Sequence, residues 1–435
     1  MNIKPKEATS IINSLIGGVV PGIGVQHIAV GRTEEISAVL SAMEDVKNGF
    51  STVKFWIGDF GSGKSFMLHL INTVALKQKF VVSNADFTPT NRLYANDGKA
   101  LSLYTAIMDN LSIQAIPEGG ALPFLLENWI EQSISQAAEE SGISPAEIRE
   151  KQHIDLIRRR ITKNINTFTN VGGFDFSAVI IKYYEGYINF DDILQRNALK
   201  WLKGEYHSKL EARQDLGVRE IIGDLNYYDM LKNFCKLFVS MGYSGFVINL
   251  DEMINLYKIS TSVMREKNYE KILAIYNDCL QGKTSGMYFN FAGTVDVLEN
   301  PRRGFFSYDA LKTRLESNKY ETSASRDFAQ PVIRLLPLNH DEIFVLLKKL
   351  TEIFNYNYKT QIEITDTEVL QYMEEIFNKP GASEFLTPRE VIRDFLNILN
   401  IVRQNPDVDK NKLFSEMEIS DERSDENLLD GIETL

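Results

Sequence analysis

Residues 53–65 read Val53-Lys54-Phe55-Trp56-Ile57-Gly58-Asp59-Phe60-Gly61-Ser62-Gly63-Lys64-Ser65. The first five form a short apolar run suited to a buried strand, and the last eight have the form G-x-x-x-x-G-K-[ST]. From Ser65 to Lys79 the apolar positions Phe66, Leu68, Leu70, Ile71, Val74 and Ala75 predict a mostly buried helix. A strand, a glycine-rich turn and a helix in that order are the context in which the pattern makes a phosphate-binding loop.

The residue types explain the chemistry. Gly58, Gly61 and Gly63 let the backbone turn tightly, so that successive N–H groups can face phosphate oxygens. The following helix offers its N-terminus, with unpaired N–H groups and a partial positive charge, to the same anion. Lys64 is expected to reach the β- and γ-phosphates and the Ser65 hydroxyl to ligate Mg²⁺. The nucleotide-contacting stretch runs through Asp59, Phe60, Ser62 and Phe66. A nucleoside triphosphate and Mg²⁺ are the expected ligand and cofactor. No guanine-specific N/TKxD element is evident.

A second half-site lies nearly two hundred residues on. Phe246-Val247-Ile248-Asn249-Leu250 is a mostly apolar run feeding Asp251-Glu252, a Walker B pattern. A buried central strand accounts for the run, and the carboxyl end of such a strand is where an α/β sheet places ligand chemistry. Asp251 is expected to hold Mg²⁺ and Glu252 to orient and activate the attacking water.

Composition narrows the class. The chain has 435 residues, 44% hydrophobic and 24% charged, with a net charge of −12, ordinary for globular protein of two or three domains. That acidic balance argues against general coating of nucleic acid, though not against a local DNA channel in an assembly. No apolar run is long enough to span a bilayer, and Met1–Lys6 lacks a signal-peptide pattern, so the expectation is a cytoplasmic protein without membrane contact. Cys235 and Cys279 are expected to be buried free thiols, and the five scattered histidines to be structural.

Taken in order, residues 1–27 form an N-terminal extension with a helix-like start. Residues 28–338 form the nucleotide-binding core, with strands expected at 53–57, 80–86, 246–250, 287–293 and 332–336. Residues 117–224 show helical periodicity and read as a helical insertion. Its cluster Arg158-Arg159-Arg160 with Lys163 is expected to be a solvated, salt-bridged face. Residues 339–410 form a helical lid. In it Asn339 and Glu342 make a capping-box variant and Pro388 opens a helix. Residues 411–435 form an acidic tail carrying Glu416, Glu418, Asp421, Glu422, Asp425 and Glu426, expected to be flexible.

The whole order resembles an AAA+ ATPase, an α/β P-loop NTPase with a parallel central sheet and a C-terminal helical lid. The resemblance implies further roles. Gly31 and Arg32, in Ile28-Ala29-Val30-Gly31-Arg32, match the linker that packs on the adenine. Thr294, ending the strand beside Walker B, matches sensor 1, with Asn290 second. Arg314, in Leu311-Lys312-Thr313-Arg314-Leu315, matches the arginine finger given to a neighbouring subunit, with Arg302 and Arg303 behind it. Arg389 matches the lid arginine, with Arg393 one turn on. A homo-oligomer follows from a trans finger.

Three segments narrow the resemblance: Phe55 to Phe66, Gly98-Lys99-Ala100-Leu101-Ser102-Leu103-Tyr104, and Leu386 to Phe395. They are similar to the ATP-binding domain of the BrxC and BrxD proteins of BREX bacteriophage-defence systems, the length being nearer BrxD. That resemblance implies an ATPase working beside a helicase or other defence protein on DNA. Two readings compete: an oligomeric ATPase that remodels or loads partners on DNA, and a nucleotide-dependent assembly switch with little turnover.

Overall fold

The computed structural model describes residues 3–144, 146–166, 173–322, 325–378 and 387–415. The acidic-tail positions from Glu416 on, and Leu386, lie outside the described residues. In chain order the elements are α1 (Pro5–Ile16), α2 (Thr33–Lys47), β1 (Thr52–Ile57), α3 (Lys64–Lys77), β2 (Val81–Asp86) and α4 (Lys99–Asp109). Then come α5 (Leu122–Ser141), α6 (Ile154–Asn166), α7 (Gly173–Asn189), α8 (Asp192–Leu202), α9 (Lys209–Leu216) and α10 (Tyr227–Ser240). They are followed by β3 (Phe246–Asp251), α11 (Ile254–Tyr257), α12 (Ser262–Leu280), β4 (Met287–Gly293), α13 (Val295–Glu299), α14 (Asp309–Leu315) and β5 (Val332–Arg334). The chain ends in α15 (His340–Tyr358), α16 (Asp366–Phe377), α17 (Pro388–Gln404) and α18 (Lys410–Ser415). The predicted strands and helices are present, with β5 two residues shorter than the apolar run suggested.

The chain divides into two compact units. One contains the residues up to Thr33, the stretch Gly58–Thr73, and the chain from Leu335 on; the other contains Glu34–Ile57 and Val74–Arg334.

The second unit holds a five-stranded parallel sheet in the order β2-β3-β4-β1-β5. Each strand reaches its parallel neighbour through helical crossovers, which bury the strands on both faces and explain their near-continuous apolar runs. On one face Phe55 stacks on Phe291 at 5.2 Å between ring centroids, and Phe87 stacks on Phe291 at 6.4 Å. The other face carries a polar ladder. Trp56 Nε1 donates to Asn290 Oδ1 at 2.9 Å, Asn290 Nδ2 to Asn249 Oδ1 at 3.0 Å, and Asn249 Nδ2 to Asn84 Oδ1 at 2.8 Å. Asn249 and Asn290 are fully buried, so the ladder supplies the partners that their amides would otherwise lack.

The stretch between β2 and β3 is helical, as its periodicity predicted. Its core gathers Trp129, Trp201 and the edge-to-face pair Phe176–Phe234, centroids 5.1 Å apart. Tyr104 Oη donates to the Leu202 carbonyl at 2.6 Å, tying α4 to α8. Asp224, at the end of the insertion, caps α4 by accepting from the N–H groups of Gly98 and Leu101, both at 2.8 Å. Gly98 has no side chain to do this, so the cap comes from afar. The basic cluster is a salt-bridged face: Arg158 pairs with Glu185 at 2.6 Å, Arg160 with Glu140 at 2.5 Å, and Lys163 with Glu140 at 3.7 Å. Cys235 and Cys279 are buried free thiols, and burial pushes them up to about 12 and about 11.

In the first unit, α1 packs on α15 and α17 around Ile11, Ile12, Leu347, Leu350, Phe395 and Leu399. Helix α15 begins with the predicted reciprocal cap: Glu342 N–H donates to Asn339 Oδ1 at 2.9 Å and Asn339 N–H to Glu342 Oε2 at 2.8 Å. Helices α16 and α17 begin the same way, with Thr365/Glu368 and Thr387/Glu390, and Pro388 opens α17. No helix among the described residues is long and apolar enough to cross a membrane.

Candidate nucleotide site

In the first unit the loop Gly58–Gly63 leads into α3, whose first turn contains no acidic residue. A helix N-terminus without a carboxylate in its first turn suits an anion. Gly61 lies at φ +80°, and a Cβ there would come within 3.0 Å of Thr387 Cβ; both facts require glycine. Lys64 Nζ donates to the carbonyls of Gly58 and Asp59 at 2.9 and 2.8 Å and lies 5.4 Å from the Phe60 ring centroid. Those contacts hold the ammonium over the loop, where a phosphate would replace the carbonyls as its acceptors. Ser62 Oγ is buried and has no hydrogen-bond partner among the described residues.

Arg32 is buried, with 6% of its surface exposed. Its Nη2 donates to the carbonyls of Ser62 and Leu336, both at 2.8 Å. One guanidinium thus ties the loop to the segment between β5 and α15. Gly31, at φ +67°, lies so close to Glu342 that a Cβ would meet its carboxylate at 2.3 Å. The pair sits beside the loop, and Arg32 positions that loop through its backbone.

Thr387 and Pro388, which start α17, touch Gly61 of the loop. Arg389 is exposed at the next position, its Cδ 3.9 Å from where a Gly18 Cβ would stand. The start of α17 and the loop are therefore brought together, with Arg389 next to their contact. Arg393 lies 3.6 Å from Asp394.

The acidic half belongs to the second unit. Asp251 ends β3 and pairs in register with Asp86, which ends β2. Glu252 takes the left-handed conformation at φ +59°, a costly one for a non-glycine residue. That turn aims its N–H at Asp251 Oδ1, 2.7 Å away, and fixes the carboxylate. It also leaves the Glu252 side chain exposed. Two bonds brace the turn: Phe87 N–H to the Asp251 carbonyl at 3.0 Å, and Met253 N–H to the Ala292 carbonyl at 3.1 Å.

Strand β4 lies between β3 and β1, and Thr294 follows its last residue. Thr294 is 6% exposed and its Oγ1 has no hydrogen-bond partner among the described residues. The second-ranked Asn290 is different: its amide is engaged on both sides in the ladder and sits in mid-strand. Arg314 is exposed on α14, donating from Nε to Asn277 Oδ1 at 3.1 Å and from Nη1 to the Ala310 carbonyl at 2.7 Å. Arg303 is turned inward, its Nη2 3.4 Å from the Ile259 carbonyl and its guanidinium 5.3 Å from the Tyr257 ring centroid. Arg302 is exposed.

Among the described residues no group of three or more His, Cys, Asp or Glu side chains is arranged to hold a metal by itself. Mg²⁺ suits a sparser set, one or two protein oxygens completed by phosphate and water. Ser65, in the first unit, and Asp251, in the second, each carry an oxygen of that kind. Sequence reasoning missed Thr387 as the wall of the loop, Arg32 as its clamp, and Asp86 as the neighbour of Asp251. Asp86 had a signal: it ends an apolar strand, as Asp251 does.

Among curated proteins none matches the chain. A family model described as BREX system ATP-binding protein BrxC/D matches residues 3–418. With its parallel α/β sheet, glycine-rich loop and acidic strand end, the chain belongs to the BREX system ATP-binding family BrxC/D.

Proposed function

We propose that this chain binds and hydrolyses MgATP as an AAA+ type ATPase and uses the cycle to remodel or load partner proteins on DNA during bacteriophage defence. Residues 28–338 act as the nucleotide-binding core with the insertion at about 117–224, and residues 339–410 act as the lid. The observation that carries this reading is Thr294. It is a buried, unpartnered hydroxyl at the end of the strand next to the one that ends in Asp251 and Glu252. A hydroxyl at that place can hydrogen-bond the attacking water or a phosphate oxygen.

In this reading the loop N–H groups and Lys64 take the β- and γ-phosphates, and Ser65 and Asp251 hold Mg²⁺, which supplies charge neutralisation on the phosphates. Glu252 orients the attacking water and accepts its proton. Thr294 fixes that water or the γ-phosphate, and Arg389 brings lid charge to the phosphates. Arg314 acts in trans on a neighbouring copy in a homo-oligomer, a role that requires it to leave Asn277. Arg303, engaged by its own unit, is the weakest of the three arginines for this. A cytoplasmic location and a helicase or other defence partner follow from the family's setting.

The test is ATP hydrolysis against protein concentration for wild type and Arg314→Ala, with and without DNA. Specific activity that rises with concentration and falls in the variant, with ATP still bound, supports the trans-finger assembly. Tight ATP binding with negligible turnover under every condition favours the nucleotide-dependent switch instead.

A further inference from the structure

We propose that the second unit carries a pocket for a phosphate group, built by the segment after β2 and the turn that enters α12. The pocket has a volume of about 280 Å³ and is lined by Arg92 from the first segment and by Asn255, Lys258, Ser260 and Thr261 from the second. Ligand pockets for drug-sized molecules start at about 300 Å³, so this one suits a phosphate with part of its ester rather than a whole nucleotide.

Both walls are held in place by buried side chains. Asn268 of α12, fully buried, accepts at Oδ1 from the N–H groups of Leu93 and Tyr94, both at 3.0 Å, and so fixes the segment that carries Arg92. Asn255 Nδ2 donates to the Phe87 carbonyl at 2.8 Å, joining the two walls. The Ile259 carbonyl accepts from Arg265 Nη1 at 2.7 Å and from Arg303 Nη2 at 3.4 Å, which pins the turn bearing Lys258 and Ser260. The pocket is therefore set before any ligand arrives.

Its chemistry is that of an anion site. The Arg92 Nε is buried with no hydrogen-bond partner among the described residues. Arg92 as a whole is half-buried and lines the pocket, so its guanidinium charge acts on an anion held there. Asp97, a carboxylate near enough to feel Arg92, is already paired with Lys99 at 2.8 Å. Lys258 adds a second cation at an exposed position. The 19-residue helix α12 begins here with no side-chain cap from Thr261 and no acidic residue in its first turn, so its dipole adds to the same field. Two cations and a helix end without a side-chain cap favour an anion here, in a chain of net charge −12. The phosphate could belong to a nucleic-acid backbone or be free; the pocket's chemistry is the same.

The test uses the full-length protein, a fluorescein-labelled single-stranded oligonucleotide of about 20 nucleotides, the matching duplex, and inorganic phosphate. Wild type is compared with Arg92→Gln/Lys258→Gln, with binding of a labelled ATP analogue as the control for folding. If the backbone phosphate is the ligand, the double variant binds the oligonucleotide roughly tenfold more weakly and its salt slope falls by about one to two. If free phosphate is the ligand, millimolar phosphate raises the melting temperature of wild type but not of the variant, with oligonucleotide binding equal in both. Oligonucleotide and phosphate responses that are both indifferent to Arg92 and Lys258 overturn the proposal. Should the double variant fail to fold, Lys258→Gln alone, at an exposed position, carries the same comparison with about half the change in slope.

Discussion

Arg32 Nη2 donates at 2.8 Å to the Ser62 carbonyl inside the phosphate loop and at 2.8 Å to the Leu336 carbonyl. A single buried guanidinium therefore braces the loop from a position thirty residues earlier in the chain, and the proposed phosphate affinity of the loop should depend on it. Arg32→Lys keeps the charge but not the fork that meets two acceptors. It is expected to weaken nucleotide binding about tenfold, or roughly 1.4 kcal/mol, and Arg32→Ala by more. Titration with a labelled ATP analogue measures both. Unchanged affinity in Arg32→Lys would show that the clamp does not shape the site.

Gly61 should be intolerant of any side chain. At φ +80°, with Thr387 Cβ 3.0 Å from where its own Cβ would stand, Gly61→Ala carries both backbone strain of about 1–2 kcal/mol and a steric conflict. Nucleotide binding is expected to fall at least about tenfold. Gly98 is the control: it lies at φ +84° with open space around its Cβ position, so Gly98→Ala should lower stability and leave nucleotide affinity alone. Equal effects of the two substitutions on affinity would contradict the assignment.

The sheet's asparagine ladder predicts a stability effect without a binding effect. Asn249→Ala removes the partner of both Asn290 Nδ2 and Asn84 Oδ1. Unpaired buried groups cost about 1–3 kcal/mol each, so urea unfolding should show a loss of roughly 2–4 kcal/mol. A loss under about 0.5 kcal/mol would mean that the ladder relaxes onto other partners.

How far the sequence could be read depended on whether the signal was local. The strand Val53–Ile57, the loop and α3 follow each other in the chain, so periodicity and glycine spacing sufficed. The reciprocal cap of Asn339 and Glu342 was legible for the same reason, as three residues separate the partners. The Arg32 clamp was not, because its acceptors are the carbonyls of Ser62 and Leu336, and a carbonyl leaves no mark on composition. Asn84, Asn249 and Asn290 each look like an isolated polar intrusion in an apolar strand; only the strand order, which places β4 between β1 and β3, turns them into one network. Glu252's left-handed turn was equally hidden, since nothing beside it in sequence asks for positive φ.

Lys54 gives a pH-dependent prediction. It is 6% exposed, and its Nζ donates to the carbonyls of Phe328, Ala329 and Gln330 at 3.0, 3.1 and 2.7 Å. Burial outweighs the nearby Asp327 and Asp45 and lowers the ammonium from 10.5 to about 8. The folded value lies below the unfolded one, so the unfolded chain holds the extra proton between those limits. Stability from this group therefore rises as pH increases from about 8 and levels off above about 10.5. The drop corresponds to roughly 3 kcal/mol at most. The stability of wild type relative to Lys54→Met should grow over that window; a flat or falling difference would contradict it.

The central claim is that the loop and the acidic strand end together perform hydrolysis, and phosphate release by Glu252→Gln tests it most directly. Nucleotide binding and single-turnover phosphate release would be measured together for wild type, Lys64→Ala and Glu252→Gln. The account predicts turnover in wild type, loss of ATP binding in Lys64→Ala, and near-normal ATP binding in Glu252→Gln with release slowed at least about a hundredfold. Glu252→Gln that releases phosphate at the wild-type rate would contradict it.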